Sequence, residues 1–480
     1  MNTATQTKYR NYINGAFQDT GSDKTLTVYH KFNGSVIAEV PYATEAQMEA
    51  AIQGSVKGFH SLASWSAGSR SDLLARIREG LLARREEFVD MIIAEAGKPR
   101  SYAETEIDRC AVTLLTAVEE AKRFDGEMIN IDFLNGQGKT AFTRRFPIGP
   151  IAAISPFNFP LNLALHKIAP AIAAGCSLVL KPSPQSPLVT LMFAEVCHEA
   201  GMPEGGLNVL VADIPEAEKM VRDERMKMLS FTGSPQIGWH LKNIVGKKKV
   251  ALELGGNAAV LVDDTAKDIH RIAKLTAFGS FLYAGQICIS TQRIFVHEGI
   301  WDTFLPELIE ATKATPAGDP NDAANTVGPI IDNGHLKRIA SWVQEAVDAG
   351  AQVLAGGEIL NNDQNLYAPT LLTNTSKGMK VNDEEIFGPV AIVEKVKDFK
   401  EGINRINDSK FGLQAGVFTN SLDHMKHAFE HLEVGGVMMN NIPGFRIDNM
   451  PYGGVKDSGY GREGIRYAME EMTEPRLLVF

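Results

Sequence analysis

Cysteine is scarce in this sequence of 480 residues: the chain has four, and none stands in a Cys-x-x-Cys pair. This pattern suits neither a disulfide framework nor a zinc site. The 11 histidines are equally scattered and form no His-Glu-x-x-His motif, so the sequence implies no metal. A basic excess is also missing. The formal net charge of −10 argues against a general binder of nucleic acid or anionic membranes.

Long apolar runs are missing as well. The N-terminus lacks the apolar core of a signal peptide, and no window holds about 18 uninterrupted apolar residues. We therefore predict a cytoplasmic protein. The composition, 44% hydrophobic and 22% charged, is that of an ordinary globular protein. Because the chain is longer than one hydrophobic core usually serves, we expect two or more domains.

Helical and strand signals alternate along the chain, which predicts an α/β fold with mainly parallel sheets. Residues 72–97 place Leu and Ile at helical spacing and end on Gly97, a helix C-terminal signal. Three short apolar strands, near 151–154, 177–180 and 226–231, are each followed by a polar loop. Ligands collect beyond the carboxyl ends of strands in open α/β sheets, so these loops form the predicted binding region. A second set of strands follows Leu254, which predicts interleaved domains.

Two segments outside these sets have a different character. The polar stretch around 126–149 resembles a hairpin with Asn135-Gly136 at its bend. It is either an exposed surface hairpin or an arm that completes the sheet of a partner subunit. The apolar end of the chain, MTEPRLLVF, is unusual for a free tail and could join that arm in a subunit interface.

Several residues are candidates for chemistry. Cys288 stands among small residues in LYAGQICIST, where packing is the commoner role for a cysteine. Glu253 lies inside an apolar strand beside two glycines, which is costly for a carboxylate unless it is paired or functional. Gly233 and Gly238 follow another strand and give a weak signal for pyrophosphate binding.

Seven motifs, taken together, resemble the aldehyde dehydrogenase superfamily from roughly residue 10 to the C-terminus. In chain order they are PFNFP at 156, KPSPQSP at 181, FTGS at 231, LELGGN at 252, GQICIS at 285, EEIFGPV at 384 and PYGGVKDSGYGREG at 451. The resemblance implies an α/β fold with an interleaved Rossmann-like cofactor domain, an α/β catalytic domain and a small β-hairpin oligomerisation arm. The expected ranges are 1–123 and 145–253 for the dinucleotide-binding domain, 254–444 for the catalytic domain, 124–144 and 466–480 for the arm, and 445–465 for a return segment to the cofactor domain.

The resemblance also implies catalytic roles. Cys288 would attack the aldehyde as a thiolate, with its pKa modestly lowered by local N–H dipoles, to form a thiohemiacetal. The Asn158 side chain and the Cys288 backbone N–H would stabilise the oxyanion. After hydride transfer, Glu253 would activate water to hydrolyse the thioester, and its apolar surroundings should raise its pKa toward neutrality. Because members that transfer the acyl group to coenzyme A generally lack this glutamate, its presence favours release of a free carboxylic acid.

Matched motif by motif, the resemblance implies a cofactor site for NAD or NADP. Lys181 would contact the adenosine ribose, Ser234 the pyrophosphate, and Glu385 and Phe387 the nicotinamide ribose and ring. Pro184 stands where NAD-preferring relatives often carry a glutamate, so NADP should be tolerated, helped by Lys181 and Ser183. The predicted cofactor residues are Ser155, Pro156, Phe157, Lys181, Ser183, Pro184, Gly233, Ser234, Leu254, Glu385 and Phe387.

The substrate is less determined by the sequence. Phe159 and Ile287 suggest an apolar side to the pocket, while Arg109 and Arg446 resemble arginines that clamp an anionic tail in some relatives. Each arginine could instead make a structural ion pair, Arg109 with Glu106 for example. Some of those relatives carry arginine at the position of Ile287 and tyrosine at that of Phe159. These differences weaken the argument for an anion clamp in this chain. We predict a short polar or anionic aldehyde, with an aromatic or aliphatic aldehyde as the alternative.

Two other classes of protein are alternatives to this hypothesis. A cysteine hydrolase or acyltransferase could use Cys288 with Glu253, but it would need a histidine near the thiol, and no matched loop contains one. A non-catalytic scaffold would be expected to have lost the nucleophile or the base. The resemblance further implies a homodimer or homotetramer, and the sequence does not choose between them.

Overall fold

A computed structural model describes residues 7–18 and 22–480. The strands are, in chain order, β1 Thr7–Lys8, β2 Asn11–Ile13, β3 Ala16–Gln18, β4 Thr25–Tyr29, β5 Val36–Pro41, β6 Met128–Ile129, β7 Ala141–Pro147, β8 Ile151–Ile154, β9 Leu178–Lys181, β10 Leu207–Val209, β11 Met228–Thr232, β12 Lys249–Glu253, β13 Ala259–Val262, β14 Arg293–His297, β15 Gln352–Ala355, β16 Ile359–Asn361, β17 Leu366–Tyr367, β18 Thr370–Thr373, β19 Val390–Val396, β20 Phe411–Gly412, β21 Gln414–Phe418, β22 Gly436–Met439, β23 Val455–Lys456, β24 Gly459–Tyr460 and β25 Thr473–Val479. The helices are α1 Glu45–Ser64, α2 Ala67–Ala83, α3 Arg85–Ala96, α4 Arg100–Arg123, α5 Asn162–Ala174, α6 Leu188–Glu199, α7 Ile214–Arg222, α8 Pro235–Ile244, α9 Ile269–Phe281, α10 Trp301–Lys313, α11 Asn333–Asp348, α12 Lys380–Asp383, α13 Phe399–Asn407, α14 Leu422–His431 and α15 Ile465–Glu471.

The first large sheet has eight strands in the order β24-β12-β11-β8-β9-β10-β2-β3. Its strands from β12 to β10 are parallel, so their carboxyl ends share one edge. The three apolar strands predicted from the sequence are β8, β9 and β11, and they are neighbours in the middle of this sheet. Their residues are buried on both faces, as expected for a parallel sheet covered by helices.

The second large sheet has seven strands in the order β15-β18-β19-β14-β13-β21-β22. All its pairs are parallel except that of the edge strand β15 with β18. Each large sheet has its own buried apolar clusters. The mixed α/β class and the interleaving predicted from the sequence are therefore confirmed. The predicted domain boundaries stay predictions.

Two distant parts of the chain return to the first half. Strand β24 pairs with β12 at the edge of the first sheet, although the whole second sheet lies between them in the sequence. Strand β25 runs antiparallel along all of β7, from Thr473 opposite Pro147 to Val479 opposite Ala141, and β6 pairs on the other side of β7. The predicted bend at Asn135-Gly136 lies in a short 3₁₀ turn between β6 and β7.

The helical stretch at 72–97 is divided in two. Helix α2 ends at Ala83 and α3 begins at Arg85, because Arg84 leaves helical geometry with φ −111° and ψ 22°. Helix α3 then ends at Gly97, whose φ of +66° is the left-handed conformation that favours glycine. Within 7–18 and 22–480, none of the helices combines the length and apolar character needed to cross a bilayer.

Candidate active site

The carboxyl edge of the first sheet opens into a cavity of about 410 Å³. Loops that follow β8, β9, β11 and β12 line it, together with the loop before β19. The structure brings all the predicted cofactor residues together in this cavity: they are Ser155, Pro156, Phe157, Lys181, Ser183, Pro184, Gly233, Ser234, Leu254, Glu385 and Phe387.

One part of this cavity is suited to phosphate groups. Ser234 precedes α8, and its side chain makes no capping hydrogen bond with the helix. The hydroxyl of Ser155 is buried and has no hydrogen-bond partner among the described residues. Burial lowers the pKa of Lys181 to about 8, which leaves its ammonium group mostly protonated at neutral pH. A helix N-terminus, two hydroxyls and a cation are the donors that a dinucleotide needs, so the residues fit such a cofactor.

The other part of the cavity has an aromatic pair and a carboxylate. The rings of Phe157 and Phe387 meet edge to face, with centroids 5.8 Å apart. Glu385 accepts a hydrogen bond of 2.9 Å from the N–H of Gly256, and burial raises its pKa to about 7. A Cβ atom on Gly255 would lie 2.2 Å from the Glu385 carboxylate, so a larger residue there would have to displace this carboxylate.

A second cavity of about 390 Å³ adjoins the first. It is lined by all four predicted substrate residues, which are Arg109, Phe159, Ile287 and Arg446. Cys288 and Glu253 line both cavities. The structure therefore places the candidate nucleophile and the candidate base where the two cavities meet.

Cys288 follows a strained turn. Tyr283, Ala284 and Gly285 all have positive φ angles, of 48°, 53° and 66°. The turn leads the chain from α9 to the loop that carries the thiol. Burial raises the pKa of this thiol to about 12, although a hydrogen bond with Tyr452 lowers it. The predicted lowering of the Cys288 pKa is therefore wrong, because desolvation outweighs the local donors.

Asn158 is buried beside the Cys288 loop. Its side-chain nitrogen donates a hydrogen bond of 3.0 Å to the carbonyl of Gln286, and its side-chain oxygen accepts one of 3.1 Å from the N–H of Phe159. These two bonds fix the orientation of the amide. One N–H of the amide remains in addition to the one that Gln286 uses.

Glu253 ends β12 with only 3% of its surface exposed. Both carboxylate oxygens are buried without a hydrogen-bond partner in the described part of the chain. Burial and, after it, the charge of Glu463 raise the pKa of Glu253 well above its ordinary value. This direction is the one predicted from the apolar strand.

The two predicted substrate arginines differ in how they are paired. Arg109 donates from Nε and Nη2 to the two oxygens of Asp448, at 3.1 and 2.7 Å. It thus makes an ion pair, as the structural alternative proposed, but with Asp448 rather than Glu106. Glu106 pairs instead with the buried Lys98 and accepts bonds from the start of α5.

Arg446 is less fully paired. Its side chain is 7% exposed, its Nη2 lies 3.6 Å from Glu463 and 3.3 Å from the ring of His166, and its Nε lies 3.9 Å from Asp448. Within the described residues, this Nε has no hydrogen-bond partner. Arg446 is therefore a buried cation with donor capacity left over, at the wall of the second cavity.

Several residues of the two cavities were not predicted from the sequence. His335 and Arg338 reach the first cavity from α11, and Lys98, Tyr102 and Tyr452 line the second. Helix α11 has the pattern of an ordinary amphipathic helix, so its residues carried no local signal. Tyr452 lies inside the matched motif PYGGVKDSGYGREG, and its hydroxyl, a polar group in a motif residue, is a sequence signal for a place in the site.

Comparison with known proteins agrees with this geometry. The chain matches the aldehyde dehydrogenase family over residues 17–478. It is 40% identical to 3-sulfolactaldehyde dehydrogenase of Priestia aryabhattai over 100% of this chain and 99% of that protein, and 37% identical to lactaldehyde dehydrogenase of Methanococcus maripaludis strain C5 over 95% and 97%. The crystal structure of aldehyde dehydrogenase 21 from Physcomitrella patens, in complex with the reaction product succinate, superposes with a TM-score of 0.96 at 40% identity, covering 99% of this chain and 98% of that one.

Fold, cavities and comparisons together define an oxidoreductase that works with a nicotinamide cofactor. The chain belongs to the aldehyde dehydrogenase family. It is an NAD(P)-dependent aldehyde dehydrogenase, which oxidises an aldehyde to a carboxylic acid. This membership decides against the cysteine hydrolase and the non-catalytic scaffold.

Proposed function

We propose that Cys288 is the nucleophile of this aldehyde dehydrogenase. Its position where the two cavities meet is the observation that carries the proposal. The thiolate adds to the carbonyl carbon of an aldehyde in the second cavity, and the free N–H of Asn158 and the backbone N–H of Cys288 stabilise the oxyanion of the thiohemiacetal. One such donor is typically worth about 3–4 kcal/mol. Glu385 and the Phe157/Phe387 pair would hold the nicotinamide ring of a bound cofactor in the first cavity, where that ring would supply the hydride acceptor.

Glu253 serves as the base for the second half of the reaction. It lines both cavities and has both oxygens unpaired, so it can take a proton from a water molecule that attacks the thioester on Cys288. The raised pKa suits a base near neutral pH. The product is a free carboxylic acid.

The cofactor preference follows from the loop after β9. Pro184 places no carboxylate at the wall of the first cavity, while Lys181 and Ser183 place a cation and a hydroxyl there. A 2′-phosphate would meet no like charge from this loop. We expect turnover with NADP as well as with NAD, measured by the absorbance of the reduced nicotinamide. The absence of measurable turnover with NADP would contradict this argument.

For the substrate we propose a short polar or anionic aldehyde. Arg446 favours a substrate that carries an anionic group, because it is a buried cation whose Nε has no partner within the described residues. Arg109 is already satisfied by Asp448 and would contribute mainly through its charge. The relatives named for 3-sulfolactaldehyde and lactaldehyde, and the succinate bound to the related structure, support short substrates with a polar or charged end.

The test compares Arg446→Gln with the unchanged enzyme on matched aldehydes. A charged hydrogen bond contributes about 1.5–3 kcal/mol, so kcat/KM for 3-sulfolactaldehyde or succinic semialdehyde should fall about 10- to 100-fold. Activity on lactaldehyde, which is uncharged, should fall by a smaller factor, because only the support that the Arg446 charge gives to the Cys288 thiolate is then lost. Arg109→Gln, measured in parallel, should show a smaller selective loss. Equal losses on charged and uncharged aldehydes would overturn the anionic assignment.

An aromatic or aliphatic aldehyde is the alternative substrate. Phe159, Phe278, Leu282 and Ile287 line the same cavity and give it a largely apolar wall. If kcat/KM is highest for an uncharged apolar aldehyde, and Arg446→Gln lowers it by the same factor for charged and uncharged aldehydes, this alternative is the better description.

We also propose that the chain forms a homodimer or homotetramer through the arm built from β6, β7 and β25. Large apolar side chains on this sheet are exposed, which is unfavourable for a monomer in water. They are Met128, Ile129, Phe133, Leu134, Leu477, Leu478, Val479 and Phe480. A cytoplasmic location stays a prediction from the sequence.

A further inference from the structure

Tyr452 contacts the sulfur of Cys288. Its phenolic oxygen lies 3.0 Å from the Cys288 Sγ, at hydrogen-bond distance. The Tyr452 N–H donates to the carbonyl of Glu463 at 3.0 Å, and the Glu463 N–H donates back at 2.7 Å. The side chain is buried. The hydroxyl is therefore held at the sulfur by the main chain as well as by packing.

Arg446 makes the phenol of Tyr452 a better donor. The guanidinium carbon lies 3.6 Å from the centre of the Tyr452 ring. A positive charge over the face of the ring attracts the ring electrons and so withdraws electron density from the phenolic oxygen. The O–H bond becomes more polar, which makes the phenol a stronger hydrogen-bond donor. Burial raises the pKa of Tyr452 well above its usual value, and the phenol therefore keeps its proton at neutral pH.

We propose that Tyr452 is a further catalytic residue, whose hydroxyl donates a hydrogen bond to the Cys288 thiolate and so increases the population of ionised nucleophile. The inference rests on the proposed role of Cys288. When the thiol ionises, its proton leaves for solvent, the sulfur keeps the electron pair, and Tyr452 retains its own proton throughout.

The other groups that face the thiol make such a donor necessary. Glu253 and Glu385 carry charges that disfavour a thiolate, and Arg446 carries one that favours it. Burial is the largest influence and opposes ionisation. A hydrogen bond to a charged acceptor is roughly twice as strong as one between neutral groups, so the Tyr452 bond acts mainly on the thiolate.

The test is the pH dependence of alkylation of Cys288 by iodoacetamide, in the full-length protein without cofactor or aldehyde. Tyr452→Phe keeps the ring under Arg446 and removes only the hydroxyl. The midpoint for Cys288 should rise by about one pH unit, and the rate below the midpoint should fall about tenfold. Peptide mapping separates Cys288 from Cys110, Cys176 and Cys197, which are buried.

The matched control is Tyr102→Phe, which removes a phenolic hydroxyl from the wall of the same cavity. Its alkylation midpoint should equal that of the unchanged protein. Kinetics give a second readout: kcat/KM of Tyr452→Phe should recover as pH rises, because a larger fraction of thiolate then forms without the donor. A merely structural role for Tyr452 would lower activity equally at every pH.

An unchanged alkylation midpoint in Tyr452→Phe would overturn the inference. If that variant does not fold, 3-fluorotyrosine can replace Tyr452 and supply a more acidic phenol. The alkylation midpoint of Cys288 should then fall, and an unchanged midpoint would overturn the inference. Cys288→Ser distinguishes the two proposals. If Cys288→Ser abolishes aldehyde oxidation while the midpoint in Tyr452→Phe is unchanged, Cys288 remains the nucleophile and only the role of Tyr452 is lost.

Discussion

At the scale of single residues, Cys288 and Glu253 are both ionisable and both lie where the two cavities meet. Burial raises the pKa of each side chain. The consequences are opposite, because a carboxylate with a raised pKa is a stronger base, whereas a thiol with a raised pKa provides less thiolate. Ionisation of the Cys288 thiol therefore depends on its neighbours more than the basicity of Glu253 does.

Glu253→Gln should separate the two halves of the reaction. The first half needs no base at this position, so a burst of reduced nicotinamide should still appear. Hydrolysis of the thioester should then slow about 10²- to 10⁴-fold, the usual contribution of a general base. Stopped-flow absorbance measures both phases. If Glu253→Gln abolished both the burst and the steady-state turnover, the result would contradict this division of roles.

The pH dependence of the slow phase follows from the raised pKa of Glu253. The base acts only when deprotonated, so in the unchanged enzyme hydrolysis should accelerate as pH rises through this raised value. The same rise should be missing in Glu253→Gln, since glutamine does not titrate in this range.

At the scale of elements, the turn at 283–285 connects α9 to the loop that carries Cys288 and touches the loop before β19. Gly285 combines a φ of +66° with close packing: a Cβ atom there would lie 2.1 Å from the carbonyl oxygen of Gly388. Gly388 follows Phe387, whose ring lines the first cavity. The backbone contact thus sets the distance between the Cys288 loop and one wall of the first cavity.

Gly285→Ala should damage catalysis more than folding. The added methyl group must push the two loops apart, and a displacement of about 1 Å at reacting groups can cost about 100-fold in rate. Gly246→Ala is the matched control, with a similar φ of +73° but no atom within 4 Å of the added Cβ. Both variants carry the left-handed penalty, and Gly285→Ala also overpacks a backbone contact, so it should be about 1–3 kcal/mol less stable than Gly246→Ala. The loss of kcat/KM should be about 100-fold in Gly285→Ala and small in Gly246→Ala. Equal kcat/KM would show that the contact has no catalytic consequence.

At the scale of the whole molecule, the end of the chain completes structures begun near its start. Strand β24 extends the first large sheet beside β12, and β25 forms the arm with β7. Buried ion pairs join the same parts: Arg109 of α4 pairs with Asp448, and Lys167 of α5 pairs with Glu463. These pairs tie the returning segment of the chain to α4 and α5.

Replacing exposed apolar residues of the arm should dissociate the proposed oligomer without unfolding the subunit. The double variant Met128→Asp/Leu134→Asp changes two side chains that are 74% and 84% exposed, so the folded subunit should lose little stability. Each apolar side chain buried at an interface contributes about 1.5–3 kcal/mol, and association should weaken well over tenfold. Sedimentation equilibrium measures this change. Ile214→Asp, 69% exposed on α7, is the control and should leave the assembly intact.

The α/β class and the three central strands of the first sheet could be read from the sequence, and its motifs predicted the loop residues that line the first cavity, although not His335 and Arg338 of α11. These depend on local apolar patterns and on contiguous motifs, and Cys288, Glu253 and Lys181 could be found in this way. It also predicted the direction of the Glu253 pKa shift, because a carboxylate in an apolar strand is desolvated wherever that strand packs.

The groups that surround the thiol come from distant parts of the chain, and their arrangement depends on the tertiary fold. The pairing of Arg109 with Asp448, the spare donor of Arg446, the hydroxyl of Tyr452 at the sulfur, and the raised pKa of Cys288 all depend on contacts across long sequence separations. Desolvation and Coulomb interactions act through space, so no local pattern in the sequence records their sum.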